Sequence, residues 1–453
     1  MTSLALSSAQ RAHAGRNLPR YTSYPTALAF DSEQAALAQD WLRSTRREDR
    51  LSAYVHVPFC RRLCWYCGCH TSIAHDYERV GAFMADLLRE IDLVAEHLGA
   101  HDGLAHLHFG GGSPNALAPA DFLALTERLK TRFRLRAGAE IAAELDPGLL
   151  SEAFIDAAAE AGLTRASLGV QTFDPTVQAL VNRVQPVEQV AKAVERLRAR
   201  GVRSVNFDLM YGLPGQTPLN VHASTLQAIE MRPDRVAVFG YAHVPWMKKH
   251  QVMIREADLA DLEGRWAQAQ AADAALTDAG YVRIGLDHYA LPGDALSRAA
   301  AQGRLRRNFQ GYTDDPAPVL VPIGPSAIGQ FRQGFVQNHT PIDQWAGKVR
   351  QGRLPFGRAL ATTVEDQLRA AVIERLMCDM AVDVEEVCLA HGADPDLLAA
   401  SLAATDPLAQ AGLCERRGAV VTIPESARRL MRVVASAFDA QLPQTPARHA
   451  KAV

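Results

Sequence analysis

The sequence has few lysines and no apolar stretch long enough to cross a bilayer. Its net charge at pH 7 is only -2, so the overall charge favours neither a nucleic acid nor an anionic membrane as a partner. Hydrophobic residues make up 48% and charged residues 22% of the chain, which is typical of a globular protein. We therefore expect a cytoplasmic protein that binds neither membranes nor nucleic acids. We also expect a monomer.

Cysteine is scarce outside one short loop. Three of the seven cysteines stand far apart, which does not fit the disulfide framework of a small secreted domain. In the loop, Cys60, Cys64 and Cys67 have the spacing C-x3-C-x2-C, which suits three corners of an iron-sulfur cubane and leaves one iron open to another ligand. A structural zinc ion needs four ligands, and Cys69 or His70 could complete such a set, so zinc remains the alternative.

Short apolar runs alternate with helical patterns along the first half of the chain. Strands are predicted at residues 53–57, 104–109, 140–145, 165–170, 202–209 and 236–239, and helices at 77–97, 119–133, 151–161, 187–200 and 219–229. Six strand-helix alternations predict parallel strands with crossover helices, either as a partial barrel or as an open sheet. Both architectures place ligand sites at the carboxyl ends of the strands.

The residues that follow these strands predict one site built from several loops. Gly110, Gly111 and Gly112 would expose backbone groups to a ligand, although a glycine run can also be a simple tight turn. Glu144 and Asp208 end otherwise apolar strands, where an unpaired carboxylate is costly. They suggest binding of amines or ribose hydroxyls, with helix capping as the alternative.

The remaining segments suggest four regions. Residues 1–50 form an N-terminal arm, of which 1–19 are expected to be disordered, while the aromatic segment 20–26 docks on the body. Residues 51–258 hold the strand-helix repeats. Residues 259–363 contain a long Ala-rich helix and a Gly- and Pro-rich connecting stretch that completes the site. Residues 364–453 are mainly helical with one strand near 420–424, which suggests a winged-helix-like module.

The cysteine spacing, with Tyr66 before the last cysteine, resembles that of the radical S-adenosylmethionine (SAM) enzymes. Further motifs are similar to those of the oxygen-independent coproporphyrinogen III oxidases. They are YVHVPFC at 54–60, CGC at 67–69, GGGSP at 110–114, LGVQ at 168–171, VNR at 181–183, DLMYGLP at 208–214 and NFQGY at 308–312. The resemblance extends from residue 20 to residue 442.

This resemblance implies an α/β fold: a partial, three-quarter parallel β/α barrel with an N-terminal arm and a mainly helical C-terminal domain. It implies a [4Fe-4S] cluster on Cys60, Cys64 and Cys67, with Cys69 in the motif but not bound to iron. One SAM molecule would contact Tyr54, Gly111, Glu144 and Ile328. A second SAM would contact Tyr66, Gly112, Ser113, Gln171, Arg183, Asp208 and Ala242, although this second site could instead be where the substrate lies.

The resemblance also implies the chemistry. SAM cleavage at the reduced cluster would give a 5'-deoxyadenosyl radical, which takes a hydrogen atom from a propionate side chain of coproporphyrinogen III. Loss of carbon dioxide and one electron leaves a vinyl group, and two such reactions give protoporphyrinogen IX in heme biosynthesis. The electron donor and acceptor are not identified by the sequence, and no protein side chain is expected to act as acid or base.

The substrate carries four carboxylates, which calls for cationic partners. Arg20 and Arg183 are the candidates, and Arg20, Tyr21 and Tyr24 belong to an arm that is expected to cover the substrate. Gly240 stands where an asparagine is commoner in the family, and the segment around Ile328 also differs.

The competing function is that of a heme-binding chaperone of the same superfamily. Those relatives lack the arm at residues 20–26 and tend to be shorter.

Overall fold

The computed structural model describes residues 6–74 and 76–442. The described part of the N-terminal arm contains two α-helices, α1 (Ser8–Ala14) and α2 (Leu37–Arg43), and a short 3-10 helix at Ala27–Ala29. Ser7 caps α1 in a capping box with Gln10, and Leu6, Ala14 and Leu18 are buried. The predicted disorder of residues 1–19 is therefore wrong for residues 6–19, because these apolar side chains pack against the C-terminal region. Residues 1–5 lie outside the described part of the chain.

The next region holds the predicted strand-helix repeats. Its elements are β1 (Leu51–Val57), β2 (Phe59–Cys60), β3 (Ser72–Ile73), α3 (Glu78–His97), β4 (Leu104–Gly111), α4 (Pro119–Phe133), β5 (Leu135–Leu145), α5 (Glu152–Glu160), β6 (Arg165–Gln171), α6 (Pro175–Leu180), α7 (Val187–Ala199), β7 (Ser204–Tyr211), α8 (Pro218–Glu230) and β8 (Arg235–Gly240). The six predicted strands and five predicted helices are all present. In the sheet, β1, β4, β5, β6, β7 and β8 are parallel neighbours in that order.

The connecting region adds strands to both ends of this sheet. Its elements are α9 (Leu262–Asp278), β9 (Val282–Ile284), β10 (His288–Ala290), α10 (Ala295–Ala301), β11 (Arg306–Asn308), β12 (Gly311–Thr313), β13 (Val319–Ile323), β14 (Ile328–Phe331), β15 (Gly334–Asn338), α11 (Ile342–Arg350) and β16 (Phe356–Ala361). β13 pairs in parallel with β1 and continues through β14, β15 and β16, while β10 and β9 extend the edge at β8. The resulting 12-stranded sheet ends at β16 and β9, as a partial barrel requires.

The C-terminal region is mainly helical, as predicted, around one small sheet. Its elements are α12 (Val364–Asp379), β17 (Ala381–Asp383), α13 (Val384–Ala390), α14 (Ala399–Ala403), α15 (Asp406–Gln410), β18 (Glu415–Arg417), β19 (Val420–Thr422) and α16 (Met431–Ala435). β19 is the predicted strand, and it pairs with both β17 and β18. This region has its own hydrophobic core, to which Tyr21 and Tyr24 of the arm also belong.

Alternation along the central strands separates the helix-facing core from the interior of the partial barrel. On β6, Ala166, Leu168 and Val170 are fully buried, whereas Ser167 and Gln171 are only partly buried. Because side chains alternate across a strand, the polar set shares one face. The same alternation on β7 places Asp208 beside Gly169 of β6. The interior of the sheet is therefore polar, which is unusual for a packed core and indicates a binding cavity.

Candidate functional site

The cysteine loop is closed at its base by short backbone ladders. β2 and β3 pair in parallel, and the N–H of Ser72 donates to the carbonyl of Pro58 at 2.7 Å. The N–H groups of Gly112 and Ser113 donate to the carbonyls of Val57 and Phe59, each at 2.8 Å. These bonds tie the glycine run after β4 to the start of the cysteine loop. The two motifs therefore form one unit at the carboxyl edge of the sheet.

Each of the three predicted cluster ligands receives a hydrogen bond at sulfur. Thr71 Oγ1 donates to Cys60 Sγ at 3.2 Å, Arg183 Nη1 to Cys64 Sγ at 3.6 Å, and the N–H of Cys69 to Cys67 Sγ at 3.4 Å. Such donors stabilise thiolates and tune an iron-sulfur cluster, so this donor set fits the [4Fe-4S] group. Among residues 6–74 and 76–442, no three His, Cys, Asp or Glu side chains are arranged to hold a single metal ion. A cluster does not require that arrangement, because each cysteine binds a different iron.

Cys69 acts as a donor to its neighbour. Hydrogen bonds from the Cys69 side chain and backbone lower the pKa of Cys67 to about 6, against the opposing effect of burial. The carbonyls of the loop are held from outside, since Lys248 Nζ donates to that of Cys69 at 2.8 Å and His250 Nε2 to that of Cys67 at 2.8 Å. That Cys69 does not bind iron stays a prediction, and its position as a donor to Cys67 agrees with it.

Glu144 and Tyr54 meet above the glycine run. A Cβ on Gly110 would lie 2.8 Å from Glu144 Oε2 and 2.9 Å from Tyr54 Oη, so only glycine leaves both side chains in place. Burial would raise the pKa of Glu144, but a 3.0 Å hydrogen bond from His108 Nε2 and the charge of that ring hold this pKa below its usual value. Glu144 is therefore a carboxylate, ready to accept from an amine or a hydroxyl. Gly111, at a φ of +111°, packs against the ring of His56.

A second group of predicted residues collects around Gly169. A Cβ on Gly169 would lie 2.9 Å from Gln171 Nε2 and 3.2 Å from Arg183 Nη2, and its strand neighbour is Asp208. Burial, followed by the nearby Glu144 charge, raises the pKa of Asp208 to about 6. Asp208 and Glu144 line the same cavity of about 250 Å³. The structure thus brings one residue of each predicted set of SAM contacts to the same cavity, whereas Ala242 of the second set lines a different cavity, together with Arg20.

Arg183 is held by the protein itself. Its guanidinium donates to Asp146 Oδ2 at 2.9 Å and to the carbonyl of Gly169 at 2.7 Å, in addition to its contact with Cys64. Both Arg183 and Asp146 are buried. These partners couple the second predicted SAM site to the cysteine loop, and they leave Arg183 poorly placed to bind a substrate carboxylate.

Four other predicted cofactor contacts lie nearby. Ser113 is buried, and its hydroxyl donates to Asn115 and accepts the N–H of Asp146 at 3.1 Å. The Tyr66 carbonyl accepts from Gln251, as does that of Ala242, so one side chain joins two predicted contacts. Ile328 begins β14, four residues after Gly324, which packs against the backbone of His56. Their contacts with SAM stay predictions.

The three predicted substrate residues separate into two groups. Arg20 lines a cavity beside β8, and its Nη2 donates to the carbonyl of Gly240 at 3.2 Å. Tyr21 and Tyr24 are buried in the C-terminal core, where Tyr21 Oη donates to Asp439 at 2.9 Å and Tyr24 Oη accepts the N–H of Ala440 at 3.2 Å. These tyrosines anchor the arm, and their contact with substrate stays a prediction.

Sequence reasoning missed the histidines that support this site. His108 orients Glu144, and His56 lies between Gly111 and Tyr54, with its Nε2 donating to the carbonyl of His70 at 2.9 Å. Burial lowers the pKa of His56 to about 4, so this ring is neutral. Both histidines occupy strands next to predicted contacts, and their alternation with apolar residues was the available signal.

Comparison with known proteins agrees with this geometry. The model of the radical SAM superfamily matches residues 54–224, which include the cysteine loop, the glycine run, Glu144 and Asp208. The class of the protein is therefore that of the radical SAM enzymes.

The relatives narrow the class to one family. The chain is 44% identical to an oxygen-independent coproporphyrinogen III oxidase of Bradyrhizobium diazoefficiens, over 96% of this chain and 97% of that protein. It is 37% identical to the enzyme of that name from Pseudomonas aeruginosa, over 94% of each chain. The solved structure of coproporphyrinogen III oxidase from Escherichia coli, a radical SAM enzyme, matches with a TM-score of 0.88 and 36% identity, over 93% of this chain and 98% of that one. The chain belongs to the family of oxygen-independent coproporphyrinogen III oxidases.

These matches confirm the predicted fold class and the assignment to an oxidoreductase family. No helix within residues 6–74 and 76–442 combines the length and the apolar character that a bilayer span needs.

Proposed function

We propose that this protein converts two propionate side chains of coproporphyrinogen III to vinyl groups without oxygen, giving protoporphyrinogen IX. The observation that carries the proposal is the set of three hydrogen-bonded cysteine sulfurs beside the Glu144 and Asp208 cavity. The substrate is taken from the names of relatives that match nearly the full length of this chain.

The residues present fit the two cofactors that the family implies. Cys60, Cys64 and Cys67 would hold the [4Fe-4S] cluster, and Glu144 would accept from the amine or a ribose hydroxyl of one SAM molecule. When bound, these groups supply the carbon radical that removes a hydrogen atom from the propionate. A second SAM near Asp208 and Gln171 is part of this proposal, as are an external electron donor and acceptor.

The protein's own residues bind and orient the ligands, and they exclude water from the site. Gly110 and Gly112 bring the backbone close to the ligand, and His108 keeps Glu144 ionised. Arg183 links the cysteine loop to the second predicted site through Asp146. The arm covers the cavity beside β8 that Arg20 lines and is anchored by Tyr21 and Tyr24, which keeps solvent from the substrate.

An anaerobic turnover assay tests this function. The reconstituted protein is mixed with coproporphyrinogen III, SAM and dithionite, and the products are read by mass spectrometry. We expect the successive loss of two carboxyl groups from the substrate and one methionine formed per SAM consumed. A Cys64→Ser variant is the control, because it removes one cluster ligand and should form no product.

The rival function is heme binding without decarboxylation. Stoichiometric heme binding by the holoenzyme, with coproporphyrinogen III recovered unchanged under reducing conditions, would favour a heme chaperone. The arm opposes this alternative, since the described residues 6–30 pack against both the barrel rim and the C-terminal core. A cytoplasmic location and a monomeric state stay predictions.

A further inference from the structure

A second cavity, of about 460 Å³, opens between the arm, the rim at β7 and β8, helix α9 and the C-terminal region. Its lining is rich in arginine from four separate segments of the chain. These residues, which we call the arginine cluster, are Arg20, Arg265, Arg307, Arg429 and Arg432. Tyr211, Trp246 and Leu259 add apolar surface to the same cavity. Glu256, Asp261 and Asp287 also line this cavity, so five guanidinium groups outnumber three carboxylates. A cavity with this excess of cations and with apolar walls suits an amphipathic anion.

Arg307 is the clearest donor in the cluster. Its Nε and Nη2 donate to the carbonyls of Tyr21 and Arg20 at 2.9 and 3.2 Å, while its Nη1 is buried without a hydrogen-bond partner among the described residues. Its guanidinium lies 4.2 Å from the ring centre of Tyr312. Because a buried N–H without a partner costs free energy, Nη1 calls for an acceptor from a ligand.

Arg20 is also held by the protein without an acidic partner. Within the described chain, neither Arg20 nor Arg307 has a carboxylate within 4.0 Å, and Arg20 Nη2 donates to the carbonyl of Gly240. Arg265 approaches the same point, since a Cβ on Gly240 would lie 3.0 Å from Arg265 Nη2. Glycine at position 240 therefore makes room for guanidinium groups at the rim of the barrel.

The titration of neighbouring groups reflects this excess of positive charge. Burial would raise the pKa of Asp287, but its hydrogen bond from His288 and the charges of Arg307 and Arg20 lower that pKa to about 2. Burial, and then the charge of Arg20, lower the pKa of Arg432 to about 10. A partly dehydrated, positively charged cavity is where a carboxylate gains most from charge-assisted hydrogen bonds.

We propose that the arginine cluster binds propionate carboxylates of the porphyrinogen, with Arg307 and Arg20 as direct partners. The inference rests on the proposed function and assigns the part of the cavity that holds propionates away from the reacting one. The carboxylate of a SAM molecule has the same chemistry. However, SAM also carries an ammonium and a sulfonium, which several arginines would repel, and it has one carboxylate where the substrate has four.

The test is equilibrium binding of coproporphyrin III, the unreactive oxidised form of the substrate, to the anaerobic holoenzyme, followed by porphyrin fluorescence. Arg307→Gln removes the unpartnered Nη1 donor together with two hydrogen bonds to the arm, and Arg20→Gln tests an exposed position where misfolding is a small risk. Arg306→Gln is the matched control, because it precedes Arg307 on β11 but pairs with Glu374 at 3.0 Å. A coproporphyrin III whose four propionates are amides tests the role of charge. SAM binding is measured in parallel.

We expect Arg307→Gln and Arg20→Gln each to weaken coproporphyrin III binding by about tenfold to a hundredfold. The affinity for the tetra-amide should be the same in these variants as in the wild type. Binding of SAM and the behaviour of Arg306→Gln should match the wild type. Equal coproporphyrin III affinity in all four proteins would overturn the inference, and so would a loss confined to SAM binding. If the wild type binds in this arginine-dependent way but forms no vinyl product, the proposed function fails while the carboxylate site stands. If the wild type forms the vinyl product but its binding of coproporphyrin III does not depend on these arginines, the proposed function stands while the carboxylate site fails.

Discussion

Glu90 on α3 offers a sharp test of how the helical layer supports the site. Its side chain is fully buried and accepts three hydrogen bonds, from the N–H of Gly324 at 2.7 Å, Asn338 Nδ2 at 2.7 Å and Trp345 Nε1 at 3.0 Å. Gly324 has a φ of +90°, and a Cβ there would lie 2.4 Å from the carbonyl of His56. Glu90 therefore fixes the turn between β13 and β14 against the strand that carries His56.

Burial outweighs these hydrogen bonds and raises the pKa of Glu90 to about 8. In the unfolded chain the group ionises near its usual value of 4.5. The folded state then holds an extra proton between about pH 4.5 and 8, so stability falls as pH rises through this window. The loss is about 1.4 kcal/mol per pH unit, or about 5 kcal/mol in all.

Two substitutions at Glu90 separate charge from hydrogen bonding. Glu90→Gln keeps an acceptor for Gly324 and Trp345 and has no charge to bury. We expect it to be near wild type at pH 5 and to become relatively more stable by about 1.4 kcal/mol per pH unit up to pH 8. Glu90→Ala strands three buried donors, at about 1–3 kcal/mol each, and should be destabilised at every pH.

The assay is urea unfolding of the three proteins from pH 5 to 9, with hydrogen exchange of residues 322–328 as the local readout. A constant stability difference between wild type and Glu90→Gln across this range would refute the pKa argument. Equal effects of the Gln and Ala variants would refute the argument from the three hydrogen bonds.

Three further predictions concern the site. Serine in place of any one of the three predicted cluster ligands should prevent cluster assembly, whereas Cys69→Ser should retain the cluster. Iron and sulfide analysis together with visible absorption measures how much cluster each variant holds. Loss of the cluster in the Cys69 variant would contradict the assignment. Deleting residues 1–30 should leave the cluster intact and abolish vinyl formation, because Arg20 and the rest of the arm beside the 460 Å³ cavity are removed. Full turnover by the truncated protein would contradict the role of the arm. Burial raises the pKa of Asp208 to about 6, so its carboxylate is lost as pH falls through 6. SAM binding by calorimetry should weaken from pH 7 to 5 in the wild type and stay flat and weak in Asp208→Asn, whereas parallel pH profiles would exclude Asp208 from the SAM site.

The strands of the partial barrel could be predicted because each leaves a local signal. β1 and β4 to β8 are apolar runs flanked by amphipathic helices, so composition and period identify them without tertiary information. The strands β13 to β16 were missed and interpreted as part of a connecting region. They are only four to six residues long. Gly324 and Ser326, both at positive φ, form the turn between β13 and β14, and α11 separates β15 from β16. Their pairing depends on the edge that β1 offers, which no local pattern encodes.

The arm shows the same limit from another side. Residues 1–19 were predicted to be disordered, and no helix was predicted there. The structure instead contains α1, because the C-terminal core supplies a surface for Leu6, Ala14 and Leu18. Short helices are marginal alone and gain their stability from packing, so the missing information lay hundreds of residues away.

The cysteine loop and the arginine cluster differ in how well the sequence predicts them, for the same reason. The cysteines lie within one loop, so their spacing alone indicates the chemistry. The arginine cluster is assembled from the arm, α9, β11 and the C-terminal region, and only its first member, Arg20, lies in a segment that sequence motifs indicated. Because nearly all basic residues of this chain are arginine, no single one stands out by type. Arg307 is distinguished from Arg306 beside it only by strand alternation, which directs one guanidinium to the cavity and the other to Glu374. Recognition of the substrate thus depends on tertiary structure, whereas the radical chemistry depends on a local motif.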